Sequence, residues 1–262
     1  MNQAEKRLFL IKKLLNEDAR YRDVHIPAAA GEQKRLLRSL MNVRPPKATD
    51  TEFLTIQDTY LRQEIAERGI THVDDLQPVC GELYLWQGDI TLLQCGAIVN
   101  AANSGMTGCY IPCHSCIDNC IHTYAGIQLR LECAELITRQ GHEEPTGQAK
   151  ITKAYNLPCD YVLNTVGPII QGRVTVEDER LLAACYRSCL ALAEQHHVES
   201  IAFCCISTGV FRFPRQRAAE IAIDTVQQYK TETGSKMKVI FNVYKDVDRT
   251  IYERLLCTDR SS

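Results

Sequence analysis

The sequence predicts an α/β fold with a mixed, largely parallel central sheet over residues 80–262, preceded by a small helical extension over residues 1–79. Three observations carry that expectation. Beyond residue 80, short apolar runs alternate with helical segments, the pattern of buried strands with helices on their faces. Before residue 80, apolar residues recur at helical spacing with charges of both signs between them. All 13 cysteines lie at or after Cys80, so composition changes at the same place as pattern.

The extension begins with a helix marked by Leu8, Ile11 and Leu15. The stretch GEQKRLLRSLMNVRPPKATD predicts a short second helix stopped by Pro45 and Pro46, because proline cannot continue a helical hydrogen-bond ladder. Phe53, Ile56, Tyr60 and Leu61 mark the next, with Asp50 or Thr51 as its cap. Together these make a module of three or four helices. In the larger region LYLWQGDI, AIVNAAN, YVLNTVGP, SIAFCCISTG and KVIFNVY are the strand candidates, mostly followed by Gly, Asn or Pro. Helices are expected at 117–139, with Ile121, Leu129 and Leu136 on related faces, at 178–196, and from Pro214 to 230.

Hydrophobic residues make up 45% and charged residues 24% of the chain, which excludes disordered, collagen-like and coiled-coil classes. The length corresponds to one to two domains. No run approaches the ~18 apolar residues of a membrane helix. With 30 Lys+Arg against 32 Asp+Glu the net charge is -2, which argues against a nucleic-acid binder. Any phosphate bound is expected on a small ligand. The N-terminus MNQAEKRLFLIKK has no signal-peptide pattern, so the expectation is a cytoplasmic protein with reduced thiols; separately, a monomer is expected.

Ligands of α/β sheets sit beyond the C-terminal ends of the strands, so chemistry is expected in the loops there. Gly88-Asp89-Ile90-Thr91 sets a carboxylate at a strand end, where a plain turn is an equal reading. In AIVNAANSG, Asn100 and Asn103 follow a buried strand, either as turn formers or as readers of hydroxyls. In ISTGVFRFP, Ser207, Thr208 and Gly209 lead toward a helix, where backbone N–H groups could make a phosphate cradle, although a plain Gly-containing strand-to-helix loop is the stronger reading of this motif alone.

Cys109, Cys113, Cys116 and Cys120 fall within twelve residues, beside His114 and His122. Thiolate and imidazole suit Zn²⁺, which needs three or four such groups, and residue types alone leave the choice among these six open. Cys204 and Cys205 are expected in a strand as small buried hydrophobes. Asp118 is either a helix N-cap or a carboxylate orienting a water or a ribose hydroxyl. His25, His72, His122, His142, His196 and His197 are expected to be structural.

Taken together, GDIT, AIVNAAN, the helix with Ile121, His122, Ala125, Gly126, Leu129, Glu132 and Cys133, LNTVGP, and SIAFCCISTGVFRFP resemble the macrodomain in order and spacing, over about residues 82–256. Where ordinary macrodomains carry a Gly-rich loop, this chain has Gly108 followed by Cys-Tyr-Ile-Pro-Cys-His-Ser-Cys. That departure resembles the zinc-dependent branch, with its Cys-x4-His-x-Cys-Ile-Asp-Asn signature and helical N-terminal extension.

The resemblance implies a three-layer α/β sandwich and one Zn²⁺ per chain on Cys109, His114 and Cys116, with Cys113 and Cys120 outside the set. It implies ADP-ribose binding by Asp89 and Ile90 at the adenine, by Ile117, Asp118, Ser207, Thr208, Gly209, Val210 and Phe211 at the pyrophosphate, and by Phe241, Asn242 and Tyr244 at the adenosine end. Asn103 then lies beside the distal ribose, and Asn103 and Asp118 are the catalytic pair. Arg212 stands where many relatives have glycine. The implied activity is removal of mono-ADP-ribose from Asp or Glu side chains, reversing a sirtuin-type ADP-ribosyltransferase that acts on a lipoylated, glycine-cleavage H-like carrier protein. Other readings are an ADP-ribose-binding module with structural zinc, an O-acetyl-ADP-ribose deacetylase, and a structural zinc protein whose closed site would use Cys113 or Cys120. A partner nucleic acid or membrane is not expected.

Overall fold

The computed structural model describes residues 1–258; residues 259–262, the tail of the 80–262 span, lie outside the described residues. The extension forms α1 (Gln3–Asn16), α2 (Ala30–Val43) and α3 (Thr51–Arg68), with a 3₁₀ turn after α1. Helix α1 begins at a capping box in which Asn2 accepts from Glu5 N–H and the Glu5 carboxylate accepts from Asn2 N–H. Asp50, not Thr51, caps α3, accepting from Phe53 N–H at 2.7 Å. The buried stripe of α1 is Leu10, Ile11, Leu14 and Leu15, one position off the spacing that Leu8 suggested. It packs on Leu37, Leu40, Phe53 and Leu61, and on Ile127 from beyond the extension.

The strands are β1 (Thr71–His72), β2 (Pro78–Cys80), β3 (Leu83–Gln87), β4 (Leu93–Gln94), β5 (Ala97–Ala102), β6 (Ala149–Lys153), β7 (Tyr161–Val166), β8 (Ser200–Phe203) and β9 (Lys238–Val243). β1 and β4 form a small parallel pair. The other seven make one mixed sheet in the order β2-β3-β9-β8-β5-β7-β6. Its five inner strands run parallel, and the edge strands β2 and β6 are antiparallel to their neighbours. β5, β7, β8 and β9 are almost entirely buried, as near-continuous apolar runs require when both faces are covered.

Helices α4 (Ile117–Ala125) and α5 (Ile127–Gln140) pack on β5 and β6, whereas α6 (Val176–Gln195), α7 (Arg215–Thr233) and α8 (Asp246–Thr258) pack on one another and on the sheet. No helix among the described residues is long and apolar enough to cross a membrane.

Three elements differ from the sequence reading. The helix expected at 117–139 is broken at Gly126, whose φ of +98° is left-handed backbone that a side chain rarely adopts. A Cβ there would also meet Gln57 Nε2 and Gln128 Oε1 at 2.7 Å. Periodicity cannot register such a break, because the apolar face continues across it. β6, sequence AKITK, is half-polar and lies on an edge, so it lacks the apolar run of an inner strand. Cys204 and Cys205 lie just past the end of β8, with Cys204 buried and Cys205 half-buried.

The extension is tied to the sheet region by buried polar contacts. Gln57, fully buried on α3, accepts the first N–H of α5 from Ile127 at 3.1 Å, replacing a missing N-cap side chain. Arg130 on α5 donates from one nitrogen to the carbonyls of Met41, Asn42 and Arg44 at 3.2, 2.7 and 2.6 Å. Those are carbonyls at the C-terminal end of α2, which has no further turn to donate N–H groups to them.

Candidate active site and metal centre

The functional side chains gather at the C-terminal ends of the parallel strands. Asn100 lies inside β5, not after it, and is fully buried opposite Asn164 of β7. Its Nδ2 donates to Asn164 Oδ1 and to Asp118 Oδ1, each at 2.9 Å. Asn103, just past β5, donates to the other Asp118 oxygen at 3.3 Å and to Gly108 O at 3.2 Å. Asp118 is therefore a buried carboxylate held by two amides.

It is not the N-cap of α4. Cys116 takes that place, its Sγ accepting from Asn119 N–H at 3.4 Å. Burial pushes the Asp118 carboxyl up to about 6, against the opposing pull of Asn100, Arg130 and Asn103. His122 Nε2 lies 3.6 Å from Asp118 Oδ1. Burial, reinforced by Arg130, drives His122 down to about 3, so the imidazole is neutral and the contact is not an ion pair. Both His122 ring nitrogens lack a hydrogen-bond partner.

The loop between β5 and α4 brings Cys109, His114 and Cys116 together, with ligand atoms all within 4.8 Å of one another. Cys109 Sγ and His114 Nδ1 are 3.5 Å apart. Burial and the neighbouring Cys109 hold the Cys116 thiol up at about 12. Two adjacent thiolates are costly without a cation, and two sulfurs with one imidazole are a donor set that Zn²⁺ accepts. The residues present fit the ion.

Cys113 and Cys120 are turned elsewhere. Cys113 Sγ lies 3.2 Å from Ser39 Oγ and 3.4 Å from Arg35 O, and Cys120 Sγ lies 3.6 Å from an Arg38 nitrogen. Among the described residues the group has three ligands and no fourth protein donor.

The loop after β8 folds on itself. Arg212 N–H reaches Gly209 O at 3.1 Å and Phe213 N–H reaches Ser207 O at 3.0 Å, with buried Phe213 anchoring the turn. Ser207 and Arg212 both have φ of +62°, which is why glycine suits position 212. Gly209 and Val210 are exposed at the rim, while Ser207 is buried with a hydroxyl that has no partner. Gly167 makes room for that hydroxyl: a Cβ there would meet Ser207 Oγ at 2.1 Å.

Asp89 follows β3 and stands in a 3₁₀ turn, accepting from Thr91 N–H at 3.0 Å and Thr91 Oγ1 at 2.6 Å. Its other oxygen pairs with Arg68 from α3, whose guanidinium lies 4.4 Å over the Tyr124 ring. Ile90 is buried in the same turn. Asn242 donates to Gly88 O at 3.0 Å and so holds the Asp89 loop against β9. Tyr244 is exposed. The Phe241 side chain is in the core against Tyr252.

Arg38, Asn42, Asn164, Arg68 and Arg130 were missed by the sequence reading. Asn42 had one readable signal, an amide on the apolar stripe of Leu37, Leu40 and Met41. The arginines had none, because a charged residue on an amphipathic helix reads as solvated surface.

Against known proteins, the Macro domain description matches residues 99–222. The chain is 60% identical over 260 residues to a protein-ADP-ribose hydrolase of Treponema medium, covering 98% of this chain and 100% of that one. It is 47% identical over 255 residues to a protein-ADP-ribose hydrolase of Staphylococcus aureus strain Mu50, covering 95% and 96%. In structure it is similar to a Trypanosoma brucei macrodomain in complex with ADP-ribose, with TM-score 0.65 and 30% identity over 84% of this chain and 94% of that one. An Oceanobacillus iheyensis macrodomain with ADP gives TM-score 0.63 and 34% identity over 71% and 96%. A sheet of the same kind, a match within it, and 60% and 47% identity to the two hydrolases over nearly the whole chain lead to one conclusion: this chain belongs to the macrodomain family.

Proposed function

We propose that this chain is a hydrolase that removes mono-ADP-ribose from modified protein carboxylates, using one Zn²⁺ on Cys109, His114 and Cys116 beside Asn103 and Asp118. The observation that carries the reading is the three-ligand group itself, formed two residues before a buried carboxylate and one residue after a carbonyl held by Asn103. The relatives named protein-ADP-ribose hydrolase support the hydrolase class. Zinc held by Cys109, His114 and Cys116 would supply Lewis acidity toward a water or ribose hydroxyl oxygen.

The chain's own groups do the rest. Asn103 orients the distal ribose, and Asp118, fixed by Asn100 and Asn103, orients the attacking water or the ribose. The buried Ser207 hydroxyl, without a protein partner, and the backbone of Thr208 to Phe211 cradle the pyrophosphate, with Ile117 on the opposite side. Asp89 and Ile90 receive the adenine, and Asn242 holds their loop. Cleavage of an ester link releases a carboxylate, a good leaving group, so no strong general acid is required. This catalytic unit occupies residues 80–262 in our reading, with 1–79 as its helical extension. The family resemblance extends the substrate to a lipoylated carrier protein modified by a sirtuin-type transferase, with the enzyme acting in the cytoplasm.

The test is release of ADP-ribose from a carboxylate-modified protein by wild type, Cys116→Ala and Asn103→Ala, with metal content measured in each. Wild type releases it, and both variants lose at least about 100-fold, as removal of a positioning or metal-holding group does. Full release by zinc-free Cys116→Ala or by Asn103→Ala overturns the assigned roles. Tight ADP-ribose binding by wild type without release would show a reader instead of an enzyme.

A further inference from the structure

The loop that carries the three metal-binding groups does little to hold its own shape. Within residues 109–116 the one backbone-to-backbone bond among the described residues runs from His114 N–H to Ile111 O, at 3.2 Å. Cys113 moreover sits in left-handed backbone, with φ of +54°. The order comes from outside the loop. Arg38 of α2 donates to His114 O at 2.7 Å and to Asn119 Oδ1 at 2.8 Å. Asn119, so oriented, donates from Nδ2 to Cys109 O at 3.3 Å and Ile111 O at 2.9 Å. Asn42, also of α2 and 1% exposed, accepts from Cys113 N–H at 2.9 Å and donates to Thr123 Oγ1 at 2.9 Å.

The carbonyls of two ligand residues are thus fixed, one directly and one through Asn119, by a single guanidinium on a helix more than seventy residues earlier. Asn42 fixes the residue between them. α2 in turn is clamped by Arg130, and Tyr110 of the metal loop covers that guanidinium at 4.3 Å.

We propose that Arg38 and Asn42 are positioning residues for the metal: helix α2 holds Cys109 and His114 at ligating distance and so completes a site that the loop alone does not form. The proposal rests on the reading of Cys109, His114 and Cys116 as a metal site. Arg38 and Asn42 lie outside the three-residue ligand group. They act as outer partners of ligands do elsewhere, where their loss weakens metal binding about 10- to 100-fold. Arg38 suits the task because one terminal nitrogen, its two N–H directions fixed in the guanidinium plane, reaches a carbonyl and an amide oxygen together, which the freely rotating ammonium of lysine does less well.

The experiment titrates Co²⁺ into metal-free full-length wild type, Arg38→Met, Arg38→Lys, Asn42→Ala and Cys116→Ala. It follows the thiolate-to-cobalt charge-transfer and ligand-field bands, and circular dichroism reports folding in the same samples. Lys34→Ala serves as a control, because Lys34 pairs with Glu64 inside the extension and does not touch the loop. Arg38→Met and Asn42→Ala are expected to bind about 10- to 100-fold more weakly with altered ligand-field bands, with Arg38→Lys partly restored and Lys34→Ala like wild type. Wild-type affinity and spectra in folded Arg38→Met and Asn42→Ala overturn the proposal.

Because coupling between metal and helix is reciprocal, a second arm needs no variant: loading wild type slows hydrogen exchange in α2 and at the Cys113 amide. Unchanged exchange in α2 on loading overturns the proposal even if the variants fail to fold. Failure of the underlying metal reading looks different, since wild type then takes up no Co²⁺ or Cys116→Ala takes it up equally well.

Discussion

The loops at residues 109–116 and 207–213 frame the same site but are built on opposite plans. The second is held by its own backbone, with turns closed between Ser207 and Phe213 and between Gly209 and Arg212, at the expense of two left-handed residues. The first is held by side chains from α2 and α4, with Arg38, Asn42 and Asn119 supplying bonds that its backbone does not. A loop that closes on itself keeps its shape when a distant element moves. A loop braced from outside is only as ordered as its braces, and so links the extension to the chemistry.

Four perturbations separate the two plans. Removing the metal with a chelator should lower hydrolysis about 1,000-fold, equal to ~4 kcal/mol of barrier, while leaving ADP-ribose affinity nearly unchanged and recovering on Zn²⁺ addition. Equal loss of affinity and turnover would mean that the loops are not independent. Arg130→Met removes the clamp on α2 and strands three carbonyls. Urea unfolding should show a loss of about 2–3 kcal/mol, with metal affinity falling and the 207–213 loop unaffected. Gly167→Ala drives a methyl into Ser207 Oγ and is the converse case. It should cost about 2 kcal/mol and weaken ADP-ribose binding while zinc content stays at one per chain.

The smallest effect is expected of Arg212→Gly. Relief of ~1–2 kcal/mol of left-handed strain is offset by ~0.5–1 kcal/mol of chain entropy, for a net gain of about 0.5 kcal/mol in thermal or urea unfolding. A destabilised Arg212→Gly protein would show that the side chain makes a contact worth more than the strain.

The same contrast decides what could be read from the chain. Inner strands such as β5 and β8 were legible because burial on both faces leaves a continuous apolar run. The self-closing loop was legible as Ser-Thr-Gly before a proline, since its bonds join residues close in sequence. Cys109, His114 and Cys116 came from the resemblance, where residue types alone left six donors. What separates the three from Cys113 and Cys120 is direction, set by α2 through Ser39, Arg35 and Arg38, and no local pattern encodes it. The break at Gly126 was hidden for a similar reason, because Gln57 and Gln128, not the helical period, set the space there. Asp118 read as a cap because acidic residues at helix starts usually are; the amides that claim it come from β5 and the turn after it.

The strand order also sets a timetable. β3, which delivers Asp89, joins the rest of the sheet only through β9, the last strand of the chain. On a ribosome working at 5–20 residues per second, the first strands of the sheet therefore wait roughly 10–30 s for the partner that docks them. β5 gains β7 and then β8 before β9 is made, and the 109–116 loop has α2 and α4 to brace it once residue 125 is out. A chain halted ahead of residue 238 would therefore carry the 109–116 loop while β3 and the Asp89 turn still lacked the strand that docks them.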